Sequence, residues 1–325
     1  MRCADAVWLC LASLLCLGCG GRPPSPLPTL LLDNGRLLLE FVDPSSPQDP
    51  AQTGCRFLHA GWLRGVTVKG RGGNFLKRDS IHRRIPLFGL PFEFHPGPHF
   101  DIDPEDGEVT CLQYGVGIVR HEAGNRFEAR PLRLFPWSCA LDRRPDGGFV
   151  IAARQQSGRC NGYAYELELR ISASWRSNAL VYDFAMRNVG EKAIDTEVYA
   201  HPFLDAAGGF GDAWFRMPGD TARRRVRDFP GETQFTPAGQ ADDDVWRVET
   251  GDFGTSGGRM AICGDRPLRK VVLWHYGADC IALEPFVRIA IPPGGAAHWR
   301  FTITFSAGEE VTEEAEEATD NAAGN

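Results

Sequence analysis

Two residues about eighty positions apart have side chains suited to acid–base chemistry. His201 lies between Tyr199 and Phe203 at the end of a segment rich in β-branched residues, and Glu284 is the acid within the mostly apolar run CIALEPFVRIAI. An acid in such a run must be paired, solvated in a cleft or used in chemistry. Because an imidazole titrates near neutral pH, the two residues are a candidate general acid and general base.

A proline follows each candidate, Pro202 after His201 and Pro285 after Glu284. Proline cannot donate a hydrogen bond to a strand ladder, so we expect His201 at a strand end that opens on a cleft. For Glu284 a second interpretation stays open, in which the carboxylate forms an ion pair with Arg288 or another arginine.

Other polar residues are weaker candidates. Glu93 in LPFEFHP is another acid between apolar neighbours, whereas His275 in VVLWHYG either lines the same cleft or is a hydrogen-bonded core imidazole. Trp274 is either a core residue or a platform for a sugar ring, as are Trp214 and Trp246. The run Arg223–Arg225 with Arg227 is either a solvated face or an anion site.

One segment contains metal-ligating residue types, namely His95, His99, Asp101 and Asp103. The Pro-Gly-Pro and Pro-Glu-Asp-Gly sequences around them are typical of a polar loop. We therefore expect neither a metal nor a cofactor.

The distribution of charged residues along the chain bears on whether nucleic acid is a partner. The formal net charge is −7, but seven acids and no basic residue lie in the last 18 residues, Gly308–Asn325. Without this tail the chain is close to neutral, which argues against nucleic acid as a partner. The segment 307–325 is predicted to be an acidic disordered tail.

The N-terminal residues predict export. Met1-Arg2 is a short basic start, and Val7–Leu17 is apolar but too short to span a bilayer. This pattern is typical of a signal peptide over residues 1–18, and the Pro-rich residues 19–28 are predicted to form a tether. Cys19 follows Leu17-Gly18 as in a bacterial lipobox, so it is a candidate for lipidation and membrane attachment. We expect a periplasmic or cell-surface protein.

Six cysteines follow Cys19 in the chain: Cys55, Cys111, Cys139, Cys160, Cys263 and Cys280. An even number in an exported protein predicts at least one disulfide, with Cys263–Cys280 the first pair expected. Buried thiols are the alternative.

Short apolar or alternating runs dominate from Thr29 to Ser306, with Asn-Gly, Asp-Gly and Gly-Gly dipeptides between several of them. No segment shows a helical period longer than three turns. The pattern predicts an all-β fold, one large antiparallel β super-sandwich over residues 29–306. The predicted strands are Leu30–Phe41, Gly61–Val68, Glu108–Val119, Phe149–Arg154, Tyr163–Ser172, Ala179–Arg187, Thr196–His201, Val245–Thr250, Lys270–Tyr276 and Trp299–Phe305.

Several blocks resemble the galactose mutarotase-like superfamily, which includes the aldose 1-epimerases. CRFLHAGWLRGVTVKG is similar to an early strand pair of mutarotase-like proteins of unassigned substrate, and LFGLPFEF and YGVGIVR are similar to their next two blocks. NVG…YAHPF resembles the strand that carries the catalytic histidine, and ALEPFVRIAIPPGGAAHWRFTITF resembles the closing block with the catalytic Glu-Pro. These blocks span most of the chain after Cys55.

The resemblance implies opening and closing of a sugar ring. Glu284 would take the proton of the anomeric hydroxyl while His201 protonates the ring oxygen, without a metal or cofactor. Arg84, Glu93, His95 and His275 are the candidate substrate-binding residues.

The chain also departs from the pattern, because it lacks the Leu-His-Gly-Gly segment of aldose epimerases. His82 and His95 are the nearest candidates for that second histidine. Arg83-Arg84 stand where a loop of sugar-phosphate mutarotases has two glycines.

The sequence thus predicts an exported protein with carbohydrate as its partner, an aldose 1-epimerase-like isomerase if it is active. The alternative is a non-catalytic carbohydrate-binding surface lipoprotein with the same fold. The identity of the sugar and the oligomeric state stay open.

Overall fold

The computed structural model describes residues 27–70, 74–78, 81–82, 85–95, 101–102, 109–121, 129–206, 210–229, 231–237, 245–253, 257–276 and 280–307. Within these ranges the helical elements are the short α1 (Pro50–Thr53) and a single 3₁₀ turn (Val226–Asp228). Neither is long and apolar enough to cross a bilayer. The prediction of an all-β fold is confirmed.

The strands of the described residues, in chain order, are β1 (Thr29–Asp33), β2 (Leu37–Val42), β3 (Leu63–Val68), β4 (Ile81–His82), β5 (Ile85–Pro86), β6 (Phe92–His95), β7 (Asp101–Ile102), β8 (Val109–Gln113), β9 (Gly117–His121), β10 (Ala129–Leu134), β11 (Ser138–Arg143), β12 (Phe149–Gln156), β13 (Tyr165–Ala173), β14 (Ala179–Asn188), β15 (Ile194–Ala200), β16 (Leu204–Asp205), β17 (Trp214–Arg216), β18 (Arg224–Arg225), β19 (Thr233–Phe235), β20 (Trp246–Phe253), β21 (Gly258–Gly264), β22 (Leu268–Tyr276), β23 (Cys280–Ile291) and β24 (Ala296–Ala307). The predicted run Leu30–Phe41 is a hairpin, because Asn34-Gly35 forms the turn between β1 and β2.

Two large antiparallel sheets form the sandwich. One has nine strands in the order β11-β12-β13-β14-β24-β21-β20-β17-β18, and the other has the order β19-β22-β23-β15-β6 with β16 beside β23. Their facing side chains share one apolar core, in which the Phe92 ring of the six-stranded sheet lies 5.1 Å from Phe184 and 5.2 Å from Phe301 of the nine-stranded sheet. Smaller sheets, β1-β2-β3, β10-β9-β8-β7 and β4-β5, complete the fold.

Within the six-stranded sheet, β23 is covered by other parts of the protein on both of its faces. Residues Cys280–Val287 are all buried, although alternate side chains of a strand point to opposite faces. Ile281, Leu283 and Val287 enter the shared core. Glu284 and Phe286 point to the other face, which we call the site face. An acid on a strand covered on both faces needs a partner from the protein.

The disulfide prediction was wrong, since no disulfide joins any of the six described cysteines. Cys263 lies on the outer face of the nine-stranded sheet, where its sulfur is 3.7 Å from Nη1 of Arg247. Cys280 packs on the site face of the opposite sheet, in a cluster with Trp62 and Phe203. Two sheets and the shared core separate these thiols, whereas a disulfide requires Cα atoms about 4.4–6.8 Å apart.

The thiols should be unreactive in the folded protein. Burial raises the pKa of Cys55 and of Cys139 to about 11 and that of Cys111 to about 12. We expect slow alkylation at pH 8 in the native state and complete alkylation of all six in urea without reductant, read by peptide mass mapping. Because these pKa values are raised on folding, the thiols should lower the free energy of unfolding as pH rises above their unfolded values, about 8.5. A pair that stays blocked in unreduced urea would contradict this expectation.

Candidate active site

The strand register places His201 opposite Glu284. Tyr199 of β15 pairs with Phe286 of β23, and Leu204 of β16 pairs with Ile281, so both pairings have the same register. The pairing with β23 is interrupted between them, at residues 200–203. His201 and Phe203 donate their backbone N–H groups to the other side, to the carbonyls of Pro91 and Gly89.

Pro202 explains the interruption of the ladder. The backbone nitrogens of successive strand residues point to opposite sides. The nitrogen of Pro202 therefore faces β23, but proline has no N–H hydrogen to donate there. The predicted strand end at His201 is present, because β15 ends at Ala200 and pairing resumes at Leu204.

The imidazole and the carboxylate are in direct contact. Nε2 of His201 lies 3.0 Å from Oε1 of Glu284, and the two side chains are only 4% and 7% exposed. Arg288, the alternative partner considered for Glu284, instead binds Asp195 through two hydrogen bonds of 2.7 and 2.6 Å. The lone acid of β23 is therefore paired with the candidate general acid.

Aromatic rings fix the orientation of the imidazole. The Phe203 ring stacks on His201 at a centroid distance of 4.2 Å, and the Phe57 ring meets it edge-on at 5.3 Å. Trp274, which is half-buried, lies 6.0 Å away on a neighbouring strand. Nδ1 of His201 is buried and has no hydrogen-bond partner among the described residues. The ring is thus held by packing and by a single polar contact, the one with Glu284.

A second polar cluster lies beside the pair on the site face. Glu93 of β6 is the cross-strand neighbour of Tyr199, and its Oε2 accepts hydrogen bonds from the Tyr199 hydroxyl and from Nε of Arg56, the latter at 2.6 Å. Nη2 of Arg56 donates to the Tyr199 hydroxyl at 3.1 Å. Arg56 precedes β3 and extends across the site face from outside the sheet. The Arg56–Glu93–Tyr199 cluster is closed by these three contacts.

Electrostatic interactions connect this cluster to Glu284. Burial lowers the pKa of Arg56, but the carboxylates of Glu93 and Glu284 outweigh it, so the pKa is raised and the guanidinium stays charged. Burial, followed by the charge of Glu93, raises the pKa of Tyr199 well above its usual value, so the hydroxyl remains a neutral donor. Two buried carboxylates therefore share the field of one fixed cation.

This arrangement suits proton transfer at two neighbouring oxygens. A base that accepts a proton at one oxygen and an acid that supplies a proton at another must lie close together when both oxygens are bonded to one carbon. A carboxylate and an imidazole in hydrogen-bond contact satisfy this condition. The two side chains are largely buried, which strengthens the electrostatic interaction between them.

The structure brings only part of the predicted substrate-binding set near the pair. Glu93 lies on the site face, but its Oε2 is already engaged by Arg56 and Tyr199. His95 is half-buried on the same face, with its ring 6.5 Å from that of Phe286. His95 pairs with Glu197 of β15, which is four residues before His201. Along the strand direction His95 is therefore roughly 13 Å from His201.

The structure places His275 on the face of the sheet opposite to that of Glu284. It pairs with Ile281 of β23, whereas Glu284 pairs with Val272, so His275 faces the shared core and Glu284 faces away from it. Its Nε2 lies 3.1 Å from the carbonyl oxygen of Phe229. The alternative interpretation, a hydrogen-bonded core imidazole, describes its environment. Arg84 and Cys19 lie outside the described residues, as does His99.

Arg56 is the residue that sequence reasoning missed. It lies within the block CRFLHAGWLRGVTVKG, next to Phe57, but its partner Glu93 is 37 residues away. A lone buried acid at Glu93 was the available signal that a cation must be close. In the described part of the chain, no group of three or more His, Cys, Asp or Glu side chains is arranged to hold a metal ion.

Comparison with known proteins identifies the fold. No protein-family model matches the sequence, and no curated protein matches it. Three similar solved structures are those of the Slr1438 protein from Synechocystis sp. PCC 6803, a galactose 1-epimerase from Lactobacillus acidophilus NCFM and a galactose mutarotase-like protein from Clostridium acetobutylicum.

The similarity extends over most of each chain. The TM-scores are 0.57, 0.53 and 0.51 in that order, with 15%, 13% and 9% sequence identity. The alignments cover 88%, 86% and 86% of this chain and 98%, 95% and 95% of the other chains. At these identities the likeness concerns the fold, and it confirms the resemblance predicted from the sequence: this chain has the galactose mutarotase-like β-sandwich fold.

Proposed function

We propose that this protein interconverts the anomers of a free sugar by acid–base ring opening. The observation that carries the proposal is the 3.0 Å contact between His201 and Glu284 on a face that is otherwise apolar or already paired. Glu284 acts as the base and His201 as the acid. The anomeric hydroxyl and the ring oxygen are bonded to the same carbon, so one pyranose can present both oxygens to this pair.

Each proton has a defined path. The Glu284 carboxylate accepts the proton of the anomeric hydroxyl as the bond between the anomeric carbon and the ring oxygen breaks. Protonated His201 gives a proton to the ring oxygen, which becomes a hydroxyl. The aldehyde group then rotates, and the reverse transfers close the ring as the other anomer.

The cation beside the pair supports these roles. Arg56 is fixed by Glu93 and Tyr199, and its positive charge interacts with the neighbouring carboxylate of Glu284. Arg56 and Trp274 are the half-buried side chains beside the pair, so a sugar that reaches the pair should contact them.

Export remains part of the proposal. We propose that the N-terminal segment directs the chain to the periplasm or cell surface and that Cys19 is lipidated there. This location favours free sugars or oligosaccharide ends over sugar phosphates, which are mainly cytosolic. Mass measurement of the mature N-terminus would show whether cleavage occurs before Cys19 and whether an acyl mass is attached.

Optical rotation of freshly dissolved aldoses tests the catalytic proposal. We expect the wild-type protein to accelerate the approach to anomeric equilibrium for at least one neutral hexose or pentose, and heat-denatured protein to have no effect. If sugars bind without acceleration, the activity proposal is wrong and the carbohydrate-binding alternative explains the site.

A further inference from the structure

A row of side chains crosses the outer face of the nine-stranded sheet, on the side opposite the proposed catalytic pair. Trp214, Gly251, Arg259 and Ser306 are successive cross-strand neighbours on β17, β20, β21 and β24. Their neighbours along the strands, Phe215, Met260 and Phe305, enter the shared core, so the row faces outward. We call these residues the Trp214–Arg259 row.

The row is closely packed because Gly251 has no side chain. A Cβ at Gly251 would lie 2.6 Å from the Trp214 indole and 2.9 Å from Cγ of Arg259, so these two side chains meet over the glycine. The guanidinium carbon of Arg223 lies 4.0 Å from the centre of the indole. Two arginines therefore flank one tryptophan.

Two hydrogen-bond donors of the row have no acceptor among the described residues. Nε1 of Trp214 and Nε of Arg259 are both buried, and Trp214 as a whole is only 6% exposed. Both groups can only donate, and buried donors without a partner are rare in folded proteins. An oxygen acceptor is the group that this site lacks.

Three acids near the row are paired with other arginines. Asp220 binds Arg224, Asp212 binds Arg225, and Glu249 binds both Arg216 and Arg247. Within the described residues no ion pair involves Arg223 or Arg259. The row therefore combines positive charge with unsatisfied donors, which is the chemistry that binds a carboxylate.

The chain provides carboxylates at this place. β24 ends at Ala307, one residue after Ser306 of the row, and Gly308–Asn325 contains seven acids and no basic residue. Arg259 is one strand away from Ser306 and Trp214 is three strands away, about 5 and 14 Å. Glu309 and Glu310 follow Ser306 by three and four residues, an extended reach of roughly 10–14 Å.

We propose that Glu309 and Glu310 dock on the Trp214–Arg259 row and hold the start of the acidic tail against the outer face of the nine-stranded sheet. The short tether raises the local concentration of these carboxylates, so individually weak ion pairs are enough for binding. Docking depends on salt, because the ion pairs lie near the surface. This proposal is independent of the proposed sugar chemistry.

Amide NMR of the full chain tests the docking. Val311 and Thr312 follow the two acids and stay unchanged in every variant. We expect their signals to be broad in wild-type protein at low salt and several-fold sharper in the variant R223Q/R259Q. The matched control R154Q/R170Q removes two positive charges from the outer face of β12 and β13 and should keep the signals broad.

A second variant separates docking from folding. E309Q/E310Q leaves the sandwich unaltered and should sharpen Val311 and Thr312 as much as R223Q/R259Q does, and 1 M NaCl should do the same in wild-type protein. Sharp signals in wild-type protein at low salt would overturn the proposal. So would signals that remain equally broad in wild type and in E309Q/E310Q.

Discussion

Replacing Glu284 with glutamine should remove most of the acceleration of anomer interconversion, a loss on the order of 10²–10⁴-fold. The amide cannot accept the proton of the anomeric hydroxyl. Glutamine has the shape of glutamate and can still accept a hydrogen bond from His201, so the fold should be retained. We expect a smaller loss for His201→Gln, because water can partly replace an acid at the ring oxygen. Initial rates of change in optical rotation measure both effects.

A matched control separates this role from the loss of a carboxylate in general. Glu197 lies on the same face of the same sheet and pairs with Lys270 at 2.8 Å, away from His201 and Glu284. Glu197→Gln should leave the rate at the wild-type level. Wild-type activity in folded Glu284→Gln protein would show that another group is the base.

Replacing Arg56 with methionine should destabilise the fold by about 3–5 kcal/mol, because it leaves the buried Glu93 carboxylate without its cation. The Glu93 side chain is 5% exposed and the Arg56 side chain 18%, so water cannot replace the guanidinium. Urea unfolding followed by circular dichroism measures the change. The double variant Arg56→Met/Glu93→Gln should recover much of the loss, since no buried charge is then left unpaired.

An exposed ion pair provides the comparison for this effect. Arg288 pairs with Asp195 through two hydrogen bonds, but both side chains are about half exposed, 53% and 47%. Arg288→Met should therefore change the free energy of unfolding far less than Arg56→Met does, because solvent screens an exposed ion pair. If Arg56→Met and Arg288→Met destabilise equally, the Arg56–Glu93–Tyr199 cluster does not have the structural role inferred here.

His201 and Glu284 could be singled out from the sequence because their signals are local. An acid within an apolar strand and a histidine before proline each conflict with the pattern around them, and such conflicts are expected at functional sites. The register that brings the two residues together depends on strand order. Only the structure, in which β15 and β16 both flank β23, provides it.

Three features of the structure could not be predicted from the sequence: the face on which a side chain lies, the sheet to which a strand belongs, and contacts between residues far apart in the chain. A shift of one residue along a strand moves a side chain to the opposite face, which is why Trp274 lies near His201 whereas His275 faces the core. The Cys263–Cys280 pair was inferred from proximity in sequence, but β21 and β23 belong to different sheets. Arg56 was missed because its contacts with Glu93 and Tyr199 span 37 and 143 residues of the chain.

The position of a bound sugar is the most direct test of the central claim, that one pyranose engages His201 and Glu284 together. A crystal structure of Glu284→Gln protein with an aldose that the wild type interconverts would show it. We predict the anomeric hydroxyl within hydrogen-bond distance of the residue 284 side chain and the ring oxygen within reach of Nε2 of His201. A sugar bound with its anomeric carbon away from both side chains, while the pair stays in mutual contact, would contradict the account.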